Sequence, residues 1–210
     1  MPEPTCRPAR TMMFAELLAH PGVEEVTELR GRFGFMAYHG GSLEEATDVI
    51  ARAAAEAVGA SYYGVHQPDD LQWHIPSTQI DPAASPPLAE FLDHVDQVIT
   101  VHGYGRDRHW TTLLVGGGHR GLADHLGDHL RRRLPAYEVI TDLDAIPVEL
   151  RGLHPRNPVN LVRGGGVQLE LPPRVRGATP LFWDWEGPGV NPHTQAVIDA
   201  LVDATSTWTA

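Results

Sequence analysis

Lysine is absent from this chain of 210 residues, so all 16 basic side chains are arginines. They face 27 acidic residues, and the formal net charge is −11 at pH 7. A chain with this balance lacks the broadly basic surface of nucleic-acid-binding domains, and we expect no nucleic-acid partner. The only cysteine, Cys6, excludes an internal disulfide and the zinc modules that are built from several cysteines.

Long apolar runs are also missing. The longest run near the N-terminus, residues 12–18, is interrupted by Glu16 and is too short to cross a bilayer. It is not preceded by the basic segment that begins a secretion signal, so we expect a cytoplasmic protein without a membrane partner.

Two catalytic motifs are absent as well. There is no Gly-x-Ser-x-Gly elbow, and the glycine run 116–120 lacks the Lys-Ser/Thr ending of a phosphate-binding loop.

Short apolar runs alternate with amphipathic segments along most of the chain, which is 42% hydrophobic. The runs predict strands at 33–38, 61–66, 97–101, 112–115, 137–140 and 166–171, and the amphipathic segments predict helices at 12–19, 88–95 and 122–134. Such alternation is typical of an α/β domain with a mixed, mostly parallel sheet and helices on both faces. We expect a loose leader and short helix over 1–30, and one α/β domain over 31–210. The proline- and glycine-rich stretch 143–165 is a long irregular connection of the kind that often carries function.

Two helix boundaries have sequence signals. Ser42 and Glu45 have capping-box spacing, which predicts a helix that runs to Val58 and stops at Gly59. Asn191 before Pro192 is a good cap and first-turn pair for a closing helix over 192–204.

Two predicted strands end in the same dipeptide, His39-Gly40 and His102-Gly103. Ligands of open α/β sheets collect beyond the carboxyl ends of the strands, so these two imidazoles are candidates to converge. Glu44 follows His39 closely enough to reach the same rim. Two histidines and one glutamate form a ligand set of catalytic zinc, which leaves one position for water. The structural alternative is an ordinary His-Gly turn followed by a glutamate that the helix dipole favours.

A rival pair is His125 and His129, four residues apart on a predicted helix. The segment between them lacks the glutamate of the zinc-protease His-Glu-x-x-His pattern. A solvated helix flank is the favoured interpretation.

Four segments together resemble, in order, the poly-γ-glutamate hydrolase family. They are His39-Gly-Gly-Ser-Leu-Glu44-Glu-Ala-Thr47, Trp73-His-Ile-Pro-Ser77-Thr78, Val101-His102-Gly103, and Asn160-Leu-Val-Arg163 with Gly166-Val-Gln-Leu-Glu170-Leu. The resemblance covers about residues 33–176. Family members are phage-associated zinc hydrolases similar to the zinc carboxypeptidases, so the resemblance implies a zinc-carboxypeptidase-like fold.

The resemblance also implies a zinc ion held by His39, Glu44 and His102, with Glu170 as general base or acid in amide hydrolysis. Independently, a carboxylate inside an apolar strand is costly unless it is paired or opens into a cleft. The alternative for Glu170 is a salt bridge to Arg174 or Arg176. The chain departs from the family at Ala46, at 48–49 and at 79–82, which concerns the segments that face the substrate.

An anionic peptide or polyglutamate is the implied substrate, and arginine suits its carboxylates through a bidentate fork. Arg163 and Asn160 match the family segment, and Arg174 follows it, so these three are the predicted substrate-binding residues. Arg106, Arg108 and Arg120 also follow strand ends and are candidates to line an anionic cleft. A local arginine cluster would be needed to overcome the net charge of −11.

Two alternatives remain open from the sequence. One is a zinc amidohydrolase that acts on N-acyl amino acids or cell-wall peptides, and the other is a non-catalytic binding module on the same fold. A protein of this kind is expected in the cytoplasm and can be released by phage lysis.

Overall fold

The computed structural model describes residues 14–177 and 185–209. The predicted leader and Cys6 lie outside these residues. The strands are β1 Glu24–Glu28, β2 Phe33–Gly41, β3 Ser61–Gln67, β4 Gln97–Gly103, β5 Thr112–Gly116, β6 Glu138–Ile140 and β7 Gly166–Leu171. The helices are α1 Phe14–Leu18, α2 Thr47–Val58, α3 Pro86–His94, α4 Arg120–Arg133, α5 Pro173–Arg176 and α6 Pro192–Thr207. Within the described ranges, no helix is both long enough and apolar enough to span a bilayer.

All seven strands form one sheet in the order β1-β3-β2-β4-β7-β5-β6. Strands β3, β2, β4 and β7 run parallel, as do β5 and β6. The antiparallel pairs are β1 with β3 and β5 with β7. The carboxyl ends of β2, β4 and β7 therefore meet at one edge of the sheet, whereas β5 ends at the opposite edge.

Each face of the sheet carries its own core. Apolar residues at alternate positions of the strands pack against α2, α4 and α6 on one face. The intervening positions pack against α1 and α3 on the other face. The predicted α/β domain, with a mostly parallel sheet and helices on both faces, is confirmed.

Two elements differ from the sequence-based expectation. The polar strand Glu24–Glu28 was not predicted, and it adds an edge to the sheet by pairing with β3. The capping box at Ser42 and Glu45 was wrong, because α2 begins at Thr47 and its N-cap, Ala46, makes no side-chain cap. Ser42 instead donates its hydroxyl to the carbonyls of Pro68 and Leu71.

The other two boundary signals are confirmed. Gly59 ends α2 in the left-handed conformation, with φ of 66°. Asn191 caps α6, and its side chain accepts hydrogen bonds from the backbone N–H groups of His193 and Thr194.

Candidate metal centre

Three polar side chains meet at the edge where β2 and β4 end. Nδ1 of His39 lies 2.9 Å from Oε1 of Glu44, and Nδ1 of His102 lies 3.2 Å from Oε2 of the same carboxylate. The two imidazole ring centres are 5.1 Å apart. Both histidines are almost fully buried, and the Glu44 side chain is 11% exposed. The sequence-predicted set of His39, Glu44 and His102 is thus brought together in space.

A tight turn between β2 and α2 fixes Glu44. Its backbone N–H donates to the carbonyl of His39, and its own carbonyl accepts a hydrogen bond from the hydroxyl of Thr47. Gly41 makes the turn possible, because its φ is 69° and a Cβ there would lie 2.2 Å from the carbonyl oxygen of Gln67. The backbone N–H of Gly103 donates to Oε2 of Glu44 at 2.9 Å, which ties the turn to the end of β4.

The outer nitrogens of both imidazoles are committed to other partners. Nε2 of His39 lies 2.8 Å from the carbonyl oxygen of Ile75, and because a carbonyl only accepts, this nitrogen carries the proton. Nε2 of His102 lies 3.0 Å from the hydroxyl of Tyr38, whose own proton is donated to Asn157. In this arrangement each neutral ring presents the lone pair of Nδ1 to the carboxylate.

Such a donor set fits a metal cation. Nδ1 of His39 and Nδ1 of His102 each face one oxygen of Glu44, at 2.9 and 3.2 Å, and each of these contacts needs a cation or a proton between its two atoms. Histidines that bind metals commonly donate their second ring N–H to a carbonyl or a similar acceptor, as His39 does to Ile75. The types of ligand are those of zinc sites.

Without a cation between them, these groups attract protons instead. Burial alone would raise the pKa of the Glu44 carboxyl, but the imidazoles of His39 and His102 outweigh burial and hold it below its ordinary value. Burial opposes the charged form of His102, yet the Glu44 carboxylate raises the pKa of that imidazole. The carboxylate therefore stays ionised, as a metal ligand must be.

One neighbouring histidine was missed by the sequence analysis. Among the described residues, His39, Glu44 and His74 form a group whose candidate ligand atoms all lie within 4.8 Å of one another. The ring of His74 is 4.8 Å from that of His39 and is exposed. The segment that carries it is held by Gln67, whose side chain bonds both the N–H and the carbonyl of Trp73. His74 belongs to one of the four family-like segments, but its loop position gave no signal that it reaches the site.

Glu170 lies on β7 beside the cluster and opens into the same cavity of about 510 Å³. It pairs in register with His102, so both side chains leave the same face of the sheet. The opposite wall of the cavity comes from the irregular connection, through residues 148–150, 152–154 and 157. Glu170 is 4% exposed. Burial, reinforced by the Glu44 carboxylate, raises the pKa of its carboxyl above the ordinary value.

The partner of Glu170 is an amide rather than an arginine. Nε2 of Gln168 donates to Oε1 of Glu170 at 2.8 Å. Arg176, which the sequence offered as a salt-bridge partner, instead donates to the carbonyls of Glu45 and Leu171. Its guanidinium packs on Gly103, where a Cβ would lie 2.6 Å from Cζ. Arg176 is therefore a partly buried support behind the site.

The two arginines that were predicted to bind substrate, Arg163 and Arg174, are not among the described residues that line the cavity. Arg163 is 82% exposed and lies 3.9 Å from Asp96, beside a separate cavity. It precedes β7, so it lies at the amino edge of the sheet, opposite Glu170. Arg174 is exposed on α5 and faces Tyr137 and His193.

Asn160 also stays outside the cavity but supports its wall. Its Nδ2 donates to the carbonyls of Gly152 and His154, two residues that line the cavity. Of the other candidate arginines, Arg106 forms an ion pair with Glu149 on the cavity wall. Arg120 lies at the far edge, because β5 runs antiparallel to β7, and it donates to backbone carbonyls there.

The rival pair His125 and His129 packs against the end of α6. Nε2 of each ring lies 3.2 Å from the hydroxyl oxygen of Thr207, and that of His125 also lies 3.1 Å from the carbonyl of Ala204. The Thr207 hydroxyl donates its proton to Asp203, so it accepts from the rings. These contacts give the pair a structural role in joining two helices.

Comparison with known proteins places this chain in a family. The model of the family described as poly-gamma-glutamate hydrolase matches residues 13–204. A solved bacteriophage poly-gamma-glutamate hydrolase is 22% identical over 88% of each chain, with a TM-score of 0.73. A structure described as "YNDL-apo (Zinc-free)" is 21% identical over 89% of this chain and 90% of that chain, with a TM-score of 0.74. No curated protein sequence matches significantly. Because the family model spans nearly the whole chain, this protein belongs to the poly-gamma-glutamate hydrolase family.

Proposed function

We propose that this protein is a zinc-dependent hydrolase that cleaves γ-glutamyl amide bonds. The observation that carries the proposal is the convergence of Nδ1 of His39, Nδ1 of His102 and both oxygens of Glu44. His39, Glu44 and His102 would hold the ion, with His74 next to them as the exposed neighbour. Membership of the hydrolase family supports the type of reaction.

A zinc ion in this position supplies a Lewis acid for the scissile carbonyl and for the attacking water. The remaining chemistry belongs to the chain. Gln168 engages Oε1 of Glu170, which leaves Oε2 as the atom that takes the proton of the attacking water. The same oxygen then delivers that proton to the leaving nitrogen.

The surroundings of Glu170 suit this exchange. A general base works best when its pKa lies near the operating pH, and burial moves the pKa of this carboxyl in that direction. The hydrogen bond from Gln168 holds the carboxylate in one orientation. Tyr38, Asn157 and the two imidazoles complete a polar floor that is shielded from bulk water.

The form of the substrate follows from the wall of the cavity. Apolar side chains from the irregular connection, such as Val148 and Leu153, lie exposed beside the polar floor. They suit the methylene groups of a γ-linked glutamate chain. Arg106 reaches this wall through its ion pair with Glu149.

A second candidate function follows from the shortage of cationic side chains in the lining of the cavity. None of the described residues that line it is an arginine, whereas Glu44, Glu149 and Glu170 all line it. This lining suits a substrate with fewer carboxylates, such as an N-acyl amino acid or a cell-wall peptide, cleaved by the same residues.

Two measurements test the proposal. Elemental analysis of the purified protein should find about one zinc per chain, and removal of zinc by a chelator should abolish amide hydrolysis, with recovery when zinc is restored. Poly-γ-glutamate should be cleaved faster than short N-acyl glutamates or cell-wall peptides. The opposite preference would select the second candidate, and a protein without stoichiometric metal would contradict both.

A further inference from the structure

A chain of buried hydrogen bonds connects the metal ligand His102 to Glu170. His102 contacts the hydroxyl of Tyr38 at 3.0 Å, and that hydroxyl donates to Oδ1 of Asn157 at 3.1 Å. Nδ2 of Asn157 donates to Oε1 of Gln168 at 2.8 Å, and Nε2 of Gln168 donates to Oε1 of Glu170 at 2.8 Å. All five residues are at most 4% exposed. The chain thus joins the two chemically active groups through protein atoms alone.

Two backbone groups fix the direction of every bond in this chain. The N–H of Val159 can only donate, and it points at Oδ1 of Asn157 at 3.2 Å, so that atom is the amide oxygen. Tyr38 must therefore donate to Asn157 and accept from His102. At the other end, the carbonyl of Leu150 lies 3.4 Å from Nε2 of Gln168, so that atom is the amide nitrogen.

From this polarity we propose that Tyr38, Asn157 and Gln168 are positioning residues that serve the two halves of the site separately. The proposal rests on the zinc hydrolase function proposed above. Tyr38 keeps the proton of His102 on Nε2, which leaves Nδ1 to bind the metal. Asn157 and Gln168 deliver an N–H to Glu170, which orients its carboxylate toward the reacting water.

The two halves meet at Asn157, whose oxygen serves the His102 side and whose nitrogen serves the Glu170 side. Asn157→Asp keeps the first contact and replaces the second with an oxygen. Gln168 must then rotate to donate to the new carboxylate, which turns its oxygen toward Glu170. Tyr38→Phe does the reverse, because it removes the acceptor of His102 and leaves the contacts of Gln168 in place.

The first experiment measures zinc affinity by chelator competition. Tyr38→Phe should bind zinc about 10- to 100-fold more weakly, which is the usual cost of losing an outer partner of a metal-ligating histidine. The Nε2 proton of His102 in the zinc-loaded protein should also exchange faster with water, as measured by NMR. Tyr63→Phe is the matched control, because Tyr63 is equally buried and its hydroxyl donates to Glu25, away from the site.

The second experiment measures turnover at saturating zinc. Asn157→Asp should lower kcat by about 10- to 100-fold, as expected for a misplaced catalytic group, while KM and zinc affinity stay close to those of the wild type. Asn191→Asp is the control, since it makes the same change at a buried helix cap on α6. If Asn157→Asp does not fold, Gln168→Glu places a second carboxylate against Glu170 and should give the same result.

Failure of the hydrogen-bonded series from His102 to Glu170 is distinguishable from failure of the proposed function. A wild-type protein that binds no zinc or hydrolyses no amide contradicts the function itself. In that case the NMR signals of the His102 ring and the Gln168 amide still report whether the hydrogen bonds are formed. The His102 signal should change in Tyr38→Phe, and the Gln168 signal should change in Asn157→Asp. The two-sided role is overturned if both variants alter the same quantity equally, or if neither differs from its control.

Discussion

At the scale of the residue, the buried carboxyl of Glu170 makes folding stability depend on pH. Because its pKa is raised, the folded protein keeps this proton to a higher pH than the unfolded chain does. Folding stability is therefore lost as the pH rises from the ordinary carboxyl value toward the folded value. In zinc-free protein, Glu170→Gln should gain stability over the wild type as the pH rises above the ordinary carboxyl pKa of about 4.3, with no gain at the acidic end.

Thermal unfolding with a chelator present measures this difference. Glu149→Gln is the control with the opposite sign, because the hydrogen bond from Arg106 lowers the pKa of the exposed Glu149 carboxyl.

The same Glu170 variant should bind zinc and lack turnover. A variant that remains active would remove Glu170 from the mechanism.

The two possible third ligands are separated by substitution. His102→Ala should weaken zinc binding by more than about 100-fold, beyond the loss typical of an outer partner. His74→Ala should cost at most about 10-fold, because the exposed His74 makes an additional contact at most. His125→Ala, which alters a histidine at the α4–α6 contact, should bind zinc like the wild type. The reverse order of His102 and His74 would assign the ligand set to His39, Glu44 and His74.

At the scale of the element, the residue that precedes α2 is strained. Ala46 has φ of 67°, a left-handed conformation that costs a non-glycine residue roughly 1–2 kcal/mol. Ala46→Gly should therefore stabilise the protein by about 1 kcal/mol, or about 2–4 °C in Tm for a chain of this size. Ala53→Gly, in the middle of the same helix, should destabilise it by about 0.5–1 kcal/mol. Calorimetry that finds the same sign for both would contradict the assignment of strain.

The sequence predicted the elements that bring the ligands together. His39 and His102 were found because buried parallel strands place their carboxyl ends side by side, and the structure pairs β2 with β4. The start of α2 was misplaced, since the hydroxyl of Ser42 found carbonyl partners in a distant loop. Arg163 lies at the amino edge of the sheet, away from the cavity, as its position just before a strand already implied.

Other parts of the site could not be predicted from local patterns. His74 lies in a segment without regular secondary structure, where no periodicity reports the direction of a side chain. Tyr38 and Asn157 are separated by 119 positions in the sequence, and their contact depends on the path of the irregular connection. The hydrogen bond from Gln168 to Glu170 joins two positions two residues apart on β7, and the pattern of β7 alone gave no sign that these two polar side chains pair.

At the scale of the whole molecule, charge sets the response to salt. The net charge is −11, and the described residues that line the cavity include no arginine to attract a polyanion. Salt screens repulsion over a length of about 8 Å at physiological ionic strength. We therefore expect KM for poly-γ-glutamate to fall as salt rises from about 0.01 to about 0.15 M. A KM that rises instead would show that arginines at the rim govern binding.

The bond between His39 and the carbonyl of Ile75 has a consequence for redesign. The loop that contains Ile75 helps to hold His39, a proposed metal ligand, so we expect insertions or exchanges there to alter the loading of the ion together with the choice of substrate. The facing side chains of Val148 and Leu153 project into solvent, 73% and 44% exposed. Directed evolution toward new polymers should therefore be most productive at Val148 and Leu153, where substitutions can change substrate selectivity without altering the reaction centre.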